Sequence, residues 1–332
     1  MGCRAVRLFF VVILTLVLGF LGAGYWWVNQ PLDLATPSVD LSIEPGTGAR
    51  DVATAVADAG VPVNPQLLYG WFRLSGQSRL IRAGSYELLR GTTPRSLLRK
   101  LVRGEEALRS VTLVEGWTFR QVRDALQKAE QLKPDSKALS SADIMTQLGQ
   151  SGVPAEGHFF PDTYTYSKGS SDMAVLKRAL HAMDKKLAAA WSQRASDTPL
   201  TSAEQALVLA SIVEKETGTA ADRPNIAAVF SNRLRVGMRL QTDPTVIYGL
   251  GSSYDGSLHK RDLLADTPWN TYTRDGLPPT AIAMPSKASL LAAIQPAPSK
   301  ALYFVARGDG SSQFSNSLDE HNRAVNKYQR GQ

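Results

Sequence analysis

The stretch ALVLASIVEKETG, residues 206–218, predicts a buried helix that ends in two carboxylates. Its first eight residues are apolar or small on every side of the helix, and this pattern is typical of a helix enclosed by other elements. Thr201 and Glu204 precede it at the spacing of a capping box, and Gly218 is a natural stop. We therefore expect this helix to lie inside the core.

The two carboxylates at the end of this helix are candidates for general acid catalysis. Glu216 stacks on Ile212 and Val213, whereas Glu214 lies about 200° away around the helix, so only one of them can face the centre of a cleft. Apolar surroundings and the negative end of the helix dipole both raise a carboxyl pKa, as an acid working near neutral pH requires. From this segment alone, the alternative remains that the charges only solvate the helix end.

Several loops outside this helix carry amide, hydroxyl, carboxyl and aromatic side chains. In carbohydrate sites aromatic faces cover sugar rings, and amides and carboxylates bond the sugar hydroxyls. The pattern favours a carbohydrate cleft. The residues that we expect to bind substrate are Glu156, Gln241, Thr242, Asp243, Tyr248, Asn270 and Tyr272.

The segment between residues 39 and 106 predicts a small α+β unit. Residues 39–43 alternate as a strand does, and residues 84–89 predict a second strand. Helices are expected at residues 50–59 and after Asn64-Pro65. This order of elements resembles the LysM class of sugar-binding modules, and a spacer or docking domain fits the periodicity equally well.

The N-terminus predicts a membrane anchor. Leu8–Val28 is 21 residues without a charge, and as a helix it spans roughly 30 Å, the thickness of a bilayer core. Arg4 and Arg7 precede it, so the positive-inside rule keeps Met1 in the cytoplasm and sends the rest of the chain across the membrane. A cleaved signal peptide ending at the small residues 22–24 is the alternative.

The composition narrows the classes of function. The chain has 332 residues, of which 43% are hydrophobic, enough for two modest domains. Its net charge of +7 suits an acidic polymer or a membrane face, but it has no run of five like charges, so nucleic acid is not an expected partner. Cys3 is the only cysteine and the four histidines lie far apart, so we expect no metal and no cofactor.

A competing hypothesis is a serine acyl-transferase of the cell wall. Ser257 and Lys260 match the Ser-x-x-Lys nucleophile motif of that class. No Lys-Thr-Gly or Ser-Asp-Asn motif follows, and one such tetrapeptide is expected by chance. This hypothesis is therefore disfavoured.

Seven segments, taken in order, resemble the YceG-like endolytic murein transglycosylases. Any one of them is weak, but their common order is a strong signal, and the resemblance covers nearly the whole chain. The segments are VEG (114–116), EG with FPDT (156–157 and 160–163), ASIVEKET (210–217), LQTDP (240–244), YG (248–249), NTY (270–272) and GLPP (276–279). His158 stands where Phe or Trp is usual.

The resemblance implies an α+β fold in four parts. It implies a cytoplasmic tip and transmembrane helix at residues 1–30, a linker at 31–38, a LysM-like module at 39–106 and a mixed α+β, lysozyme-like catalytic domain at 107–332. It also places the protein in the inner (cytoplasmic) membrane, with the N-terminus cytoplasmic and the catalytic domain periplasmic.

The resemblance further implies a lytic transglycosylase that cuts the β-1,4 bond between N-acetylmuramic acid and N-acetylglucosamine of nascent peptidoglycan, limiting strand elongation. The catalytic acid of the family is the glutamate followed by Thr, here Glu216, with Glu214 as the alternative. One carboxyl then acts as acid and as base, and the product ends in 1,6-anhydro-N-acetylmuramic acid. The implied partners are glycan strands, the membrane and peptidoglycan synthases.

A second hypothesis is a membrane-anchored protein without activity that binds peptidoglycan or serves as a divisome scaffold. Such a protein would have the same anchor, the same small module and the same carbohydrate cleft, but it would not need Glu216.

We predict a single-pass topology with the bulk of the chain outside the cytoplasm, because Arg4 and Arg7 precede the uncharged run. A reporter that works only after export, fused behind Gln332, should be active. A fusion to a reporter that works only in the cytoplasm serves as the control, and activity of that fusion would contradict the prediction.

Overall fold

The computed structural model describes residues 2–331, with side chains from residue 8 onward, and it has the mixed α+β composition that the sequence predicts. The chain divides into two compact units. The first consists of Met1–Arg109 and Tyr166–Gly169, and the second of Ser110–Thr165 and Ser170–Gln332. The roles assigned above to the sequence segments remain predictions.

The first unit contains a long helix followed by a strand–helix–helix–strand motif, in the predicted order. Its elements are α1 (Gly2–Val28), β1 (Ser38–Ile43), α2 (Ala49–Asp58), α3 (Pro65–Leu74), β2 (Gly84–Leu89) and α4 (Pro94–Arg103). β1 pairs with β2 in antiparallel register, with Ser38 opposite Leu89. The inward faces of these strands and of α2, α3 and α4 form one apolar core.

The segment Leu8–Val28 of α1 is long and apolar enough to cross a membrane. Its mean hydropathy is 2.4, and no residue of its most apolar window is buried. A signal sequence near an N-terminus has the same properties. At the end of α1, Trp27 packs against the core of the first unit, and the Arg95 guanidinium lies 5.1 Å from the centre of the Tyr25 ring.

The second unit is mostly helical. Its elements are β3 (Leu108–Thr112), α5 (Phe119–Lys128), α6 (Ser141–Gln147), β4 (Thr163–Ser167), α7 (Asp172–Trp191), α8 (Ala203–Glu216), α9 (Arg223–Arg235), α10 (Asp243–Leu250), α11 (Lys260–Leu264), α12 (Lys287–Ile294), β5 (Tyr303–Ala306), β6 (Ser312–Ser315) and α13 (Leu318–Val325). β3 pairs with β4 and β5 with β6. The boundary between the units passes through β3 and β4.

Helix α8 is the buried helix that the sequence predicts. Every residue from 206 to 213 is buried, and α7, α9 and α12 pack against the helix. Ser211 is polar, but its hydroxyl donates to the Val208 carbonyl at 2.7 Å and accepts the backbone N–H of Ile282 at 3.0 Å. The helix leaves the core only at residues 214–216.

The predicted capping box of α8 is wrong. The helix is capped by Ser202, whose side chain accepts the N–H of Gln205 at 3.2 Å. Glu204 instead lies beside His158, with 3.1 Å between its Oε2 and the histidine Nε2. The bond to Glu204 raises the pKa of His158, although burial alone would lower it.

The loop that carries Glu156 lies too close to the core for a side chain at Gly157. Gly157 has a φ of +86°, and a Cβ there would lie 2.4 Å from the Cβ of Ala281 and 3.4 Å from Cδ2 of Leu207. The positive φ favours glycine, and the short contact excludes a larger residue. The backbone beside Glu156 is therefore held against α8.

Candidate active site

Glu216 is the last residue of α8, and its partly buried carboxyl lies beside Thr242. The Thr242 hydroxyl donates a hydrogen bond to Oε1 of Glu216. Burial raises the pKa of Glu216, the Thr242 bond lowers it, and the charges of Asp243 and Arg233 act in opposite directions. The net shift is upward, as the sequence predicts for a buried carboxyl.

The segment before α10 directs Thr242 toward Glu216. Gln241 has a φ of +50°, which is uncommon for a residue with a side chain, and its N–H donates to the Thr271 carbonyl at 3.1 Å. The N–H of Thr242 donates to the Thr271 hydroxyl oxygen at 3.1 Å, and that oxygen is 2.8 Å from Oγ1 of Thr245. These bonds fix the turn that presents the Thr242 hydroxyl.

Asp243 is a second carboxylate in this site. It is exposed, and the Tyr272 hydroxyl donates to its Oδ1 at 2.6 Å. Burial, and then the bond to Asp243, raise the pKa of Tyr272, so this phenol stays protonated and donates. Thr242 thus bonds Glu216, the charges of Asp243 and Glu216 interact, and Tyr272 is close enough to feel the charge of Glu216. Gln241 is next to Thr242 in the chain, and its side chain is exposed.

A buried cation lies near these carboxylates. The Arg233 side chain is 8% exposed, and its Nε and Nη1 each donate at 2.7 Å, to the carbonyls of Leu302 and Leu240. Its positive charge lowers the pKa of Glu216. Arg233 is a residue of the site that the sequence predictions missed. The sequence does indicate that Arg233 is buried, because it follows the apolar Phe230 by three positions and so lies on the same face of the helix.

Glu214 faces a different element. Its Oε2 accepts the N–H of Ser286 at 2.9 Å and the Ser286 hydroxyl at 2.6 Å. Ser286 caps the N-terminus of α12. Glu214 is therefore bound to a helix start, whereas Glu216 faces Thr242.

Glu156 and Tyr248 form a second polar cluster at the wall of a cavity of about 700 Å³. Glu156 is 9% exposed; its Oε1 accepts the N–H of Phe119 at 2.9 Å and its Oε2 the Tyr248 hydroxyl at 3.1 Å. Burial raises the pKa of Glu156 to about 7. Glu216 does not line this cavity.

Asn270 lies inside the unit and is fully buried. Its amide nitrogen is within 3.2 Å of the carbonyls of Asp262, Leu263 and Ala265, and its Oδ1 accepts the N–H of Tyr272 at 2.9 Å. The side chain thus organises the loop that ends at Tyr272.

The serine acyl-transferase alternative has no support in the described structure. Ser257 and Lys260 are exposed around the start of α11, and the Ser257 N–H is bonded to Asp255. Among the described residues, no group of three His, Cys, Asp or Glu side chains is arranged to hold a metal ion.

Comparisons of sequence and of structure both find relatives of this chain. A sequence model of the YceG-like family matches residues 41–327. An endolytic murein transglycosylase of Bacillus subtilis (strain 168) is 30% identical over 88% of this chain and 85% of that one. One from Streptococcus pneumoniae (strain D39 / NCTC 7466) is 28% identical over 95% of this chain, which spans 64% of the relative. The crystal structure of a YceG-like protein from Listeria monocytogenes has a TM-score of 0.55 and 29% identity, covering 86% of this chain and 98% of that chain.

We expect Glu156→Gln to stabilise the protein near pH 8 and to leave its stability near pH 4 almost unchanged. Because the pKa of Glu156 is about 7 when folded, against 4.5 as its reference value, the folded state keeps a proton that the unfolded state releases. The free energy of unfolding of the wild type therefore falls as the pH rises from 4.5 to about 7. The amide of the variant is neutral at every pH, so the variant avoids this loss, which is about 1–3 kcal/mol.

Urea unfolding of both proteins at several pH values measures this difference. Asp135→Asn, at an exposed carboxyl of the same unit, is the control and should run parallel to the wild type. An equal effect of Glu156→Gln at both pH extremes would show that Glu156 does not hold the proton.

Proposed function

Since the chain belongs to the YceG-like family, we propose that it is an endolytic murein transglycosylase that leaves 1,6-anhydro-N-acetylmuramic acid ends. The observation that carries this proposal is the Glu216 carboxyl, whose pKa is raised by burial and which bonds the Thr242 hydroxyl at the end of α8. A single group that serves first as acid and then as base must begin the reaction protonated, and an upward pKa shift favours that form.

In the proposed reaction, Glu216 gives its proton to the glycosidic oxygen that links N-acetylmuramic acid to N-acetylglucosamine. The bond from that oxygen to muramyl C1 breaks, and the N-acetylglucosamine leaves as an alcohol. The Glu216 carboxylate then takes the proton of the muramyl C6 hydroxyl, whose oxygen bonds C1. The nucleophile belongs to the same sugar and is already close, so no water is consumed.

The neighbours of Glu216 support each of these steps. Burial favours the protonated form that begins the reaction, and the Thr242 hydroxyl stabilises the carboxylate that follows. We assign substrate contacts to Asp243 and Tyr272, which interact with the charge of Glu216, and to the exposed Gln241, which precedes Thr242. Glu156 and Tyr248 would bind substrate through the neighbouring cavity. For Asn270 we propose a positioning role, because its amide is bonded to backbone carbonyls.

The proposal extends to the remaining parts of the chain. We assign residues 1–30 to the cytoplasmic tip and membrane anchor, 31–38 to a linker, 39–106 to a LysM-like module and 107–332 to a lysozyme-like catalytic domain. The antiparallel β1–β2 pair and the two intervening helices support the LysM-like assignment. The apolar α1 supports an inner-membrane protein with a periplasmic catalytic domain, which would act beside peptidoglycan synthases.

We expect Glu216→Gln to reduce turnover at least about a hundredfold, because the amide keeps the size of the side chain but has no proton to transfer. The matched control is Glu214→Gln, two residues away, which alters only the bonds to Ser286 and should cost much less. Mass spectrometry of muropeptides released from glycan strands measures turnover, and thermal unfolding checks that each variant folds.

The ranking of the two variants decides the assignment. If Glu214→Gln is the more impaired, the acid is Glu214. If wild type and both variants release nothing, the chain is the peptidoglycan-binding scaffold instead.

A further inference from the structure

The cavity beside Glu156 has a charged rim that the proposed chemistry does not use. Arg120, Asp124 and Gln127 of α5 line it. Their spacing of four and three places them on one face of the helix. Arg120 is exposed, and it lines the same cavity as Glu156, where its positive charge lowers the pKa of that carboxyl.

The cavity lining also includes aromatic side chains and several small apolar ones. Tyr248 and Trp269 meet edge to face with 5.5 Å between ring centres, and the Trp269 Nε1–H donates to Thr280 at 3.0 Å. Ala142, Val153, Pro154 and Ala155 add small apolar side chains to the lining, and Arg123 adds a second guanidinium, which is bonded to the carbonyls of residues 136, 137 and 139. At about 700 Å³ the cavity has the size of a site for a small ligand.

Helix α10 connects this cavity with the carboxyl of Glu216. Thr242, just before α10, bonds Glu216, and Tyr248, near the other end of the helix, lines the cavity. Six residues of helix rise about 9 Å. A ligand in the cavity would therefore lie beside the bond that Glu216 acts on, without occupying the same place.

We propose that this cavity binds the short peptide that muramic acid carries in murein. The proposal rests on the proposed function. Where the peptide is attached, the lactyl carboxyl of muramic acid is a neutral amide, so the sugars offer no charged group to pair with Arg120 and Asp124. The peptide has carboxylates and an amino group for these two side chains, whereas a strand without peptides has only the lactyl carboxylate and no cation for Asp124. The alanine methyl groups of the peptide match the small apolar side chains of the lining. The enzyme would then select strands that still carry their peptides.

The test compares glycan strands bearing peptides with the same strands after an amidase has removed the peptides, using the full-length protein. The wild type should cut the peptide-bearing strands with a kcat/KM at least about tenfold higher. Arg120→Ala and Asp124→Ala should each reduce the preference for peptide-bearing strands several-fold. The change should appear in KM and not in kcat, because the contacts to the peptide are equally strong in the bound substrate and in the transition state. Lys128→Ala, on the same helix but outside the cavity, should keep the preference.

The proposal would be overturned if the wild type cut peptide-bearing and amidase-treated strands with equal kcat/KM. It would also be overturned if Arg120→Ala lowered kcat/KM by the same factor for both substrates. Calorimetry of the released peptide with the Glu216→Gln protein tests the cavity without turnover. Binding that Arg120→Ala weakens supports the proposal even if the chain proves inactive, and binding that is absent or unaffected by Arg120→Ala contradicts it.

Discussion

The hydrogen bond from the Thr242 hydroxyl to the Glu216 carboxyl is the interaction on which the site depends. Burial at the end of α8 favours the protonated carboxyl, and the hydroxyl favours the carboxylate. The two effects oppose each other, and the net shift of the Glu216 pKa is upward. A group that first donates a proton and then accepts one needs its protonated form at the start and a stabilised carboxylate afterwards.

This bond is maintained by a network that extends well beyond the two residues. The left-handed backbone of Gln241 costs free energy, of order 1–2 kcal/mol, and its bond to Thr271 offsets part of that cost. Thr245 and Asn270 hold the same turns from inside the unit. On the other side, Glu214 ties the end of α8 to α12. The carboxyl is thereby positioned by rigid elements.

The sequence was sufficient for features that depend on local periodicity and local capping. The burial of α8 and the bounds of β2 both follow from residues within a few positions of each other. The cap of α8 was misassigned because Glu204 bonds His158, 46 positions away. Ser286, the partner of Glu214, and Leu302, one partner of Arg233, are likewise 72 and 69 positions distant. No local pattern identifies such pairs. The buried position of Asn270 was missed for a different reason, because its partners are near in sequence but lie in a loop that has no periodicity to reveal burial.

The central claim is that the muramyl C6 hydroxyl, and not water, attacks C1. Asp243 makes this claim worth testing, because a second carboxylate near the acid could activate a water molecule for that attack. Cleavage of glycan strands in ¹⁸O-labelled water, followed by mass spectrometry of the new ends, measures this most directly. We expect 1,6-anhydro-N-acetylmuramic acid ends that are lighter by one water and carry no label. Reducing muramic acid ends that carry ¹⁸O as the main product would contradict it and would make the protein a hydrolase.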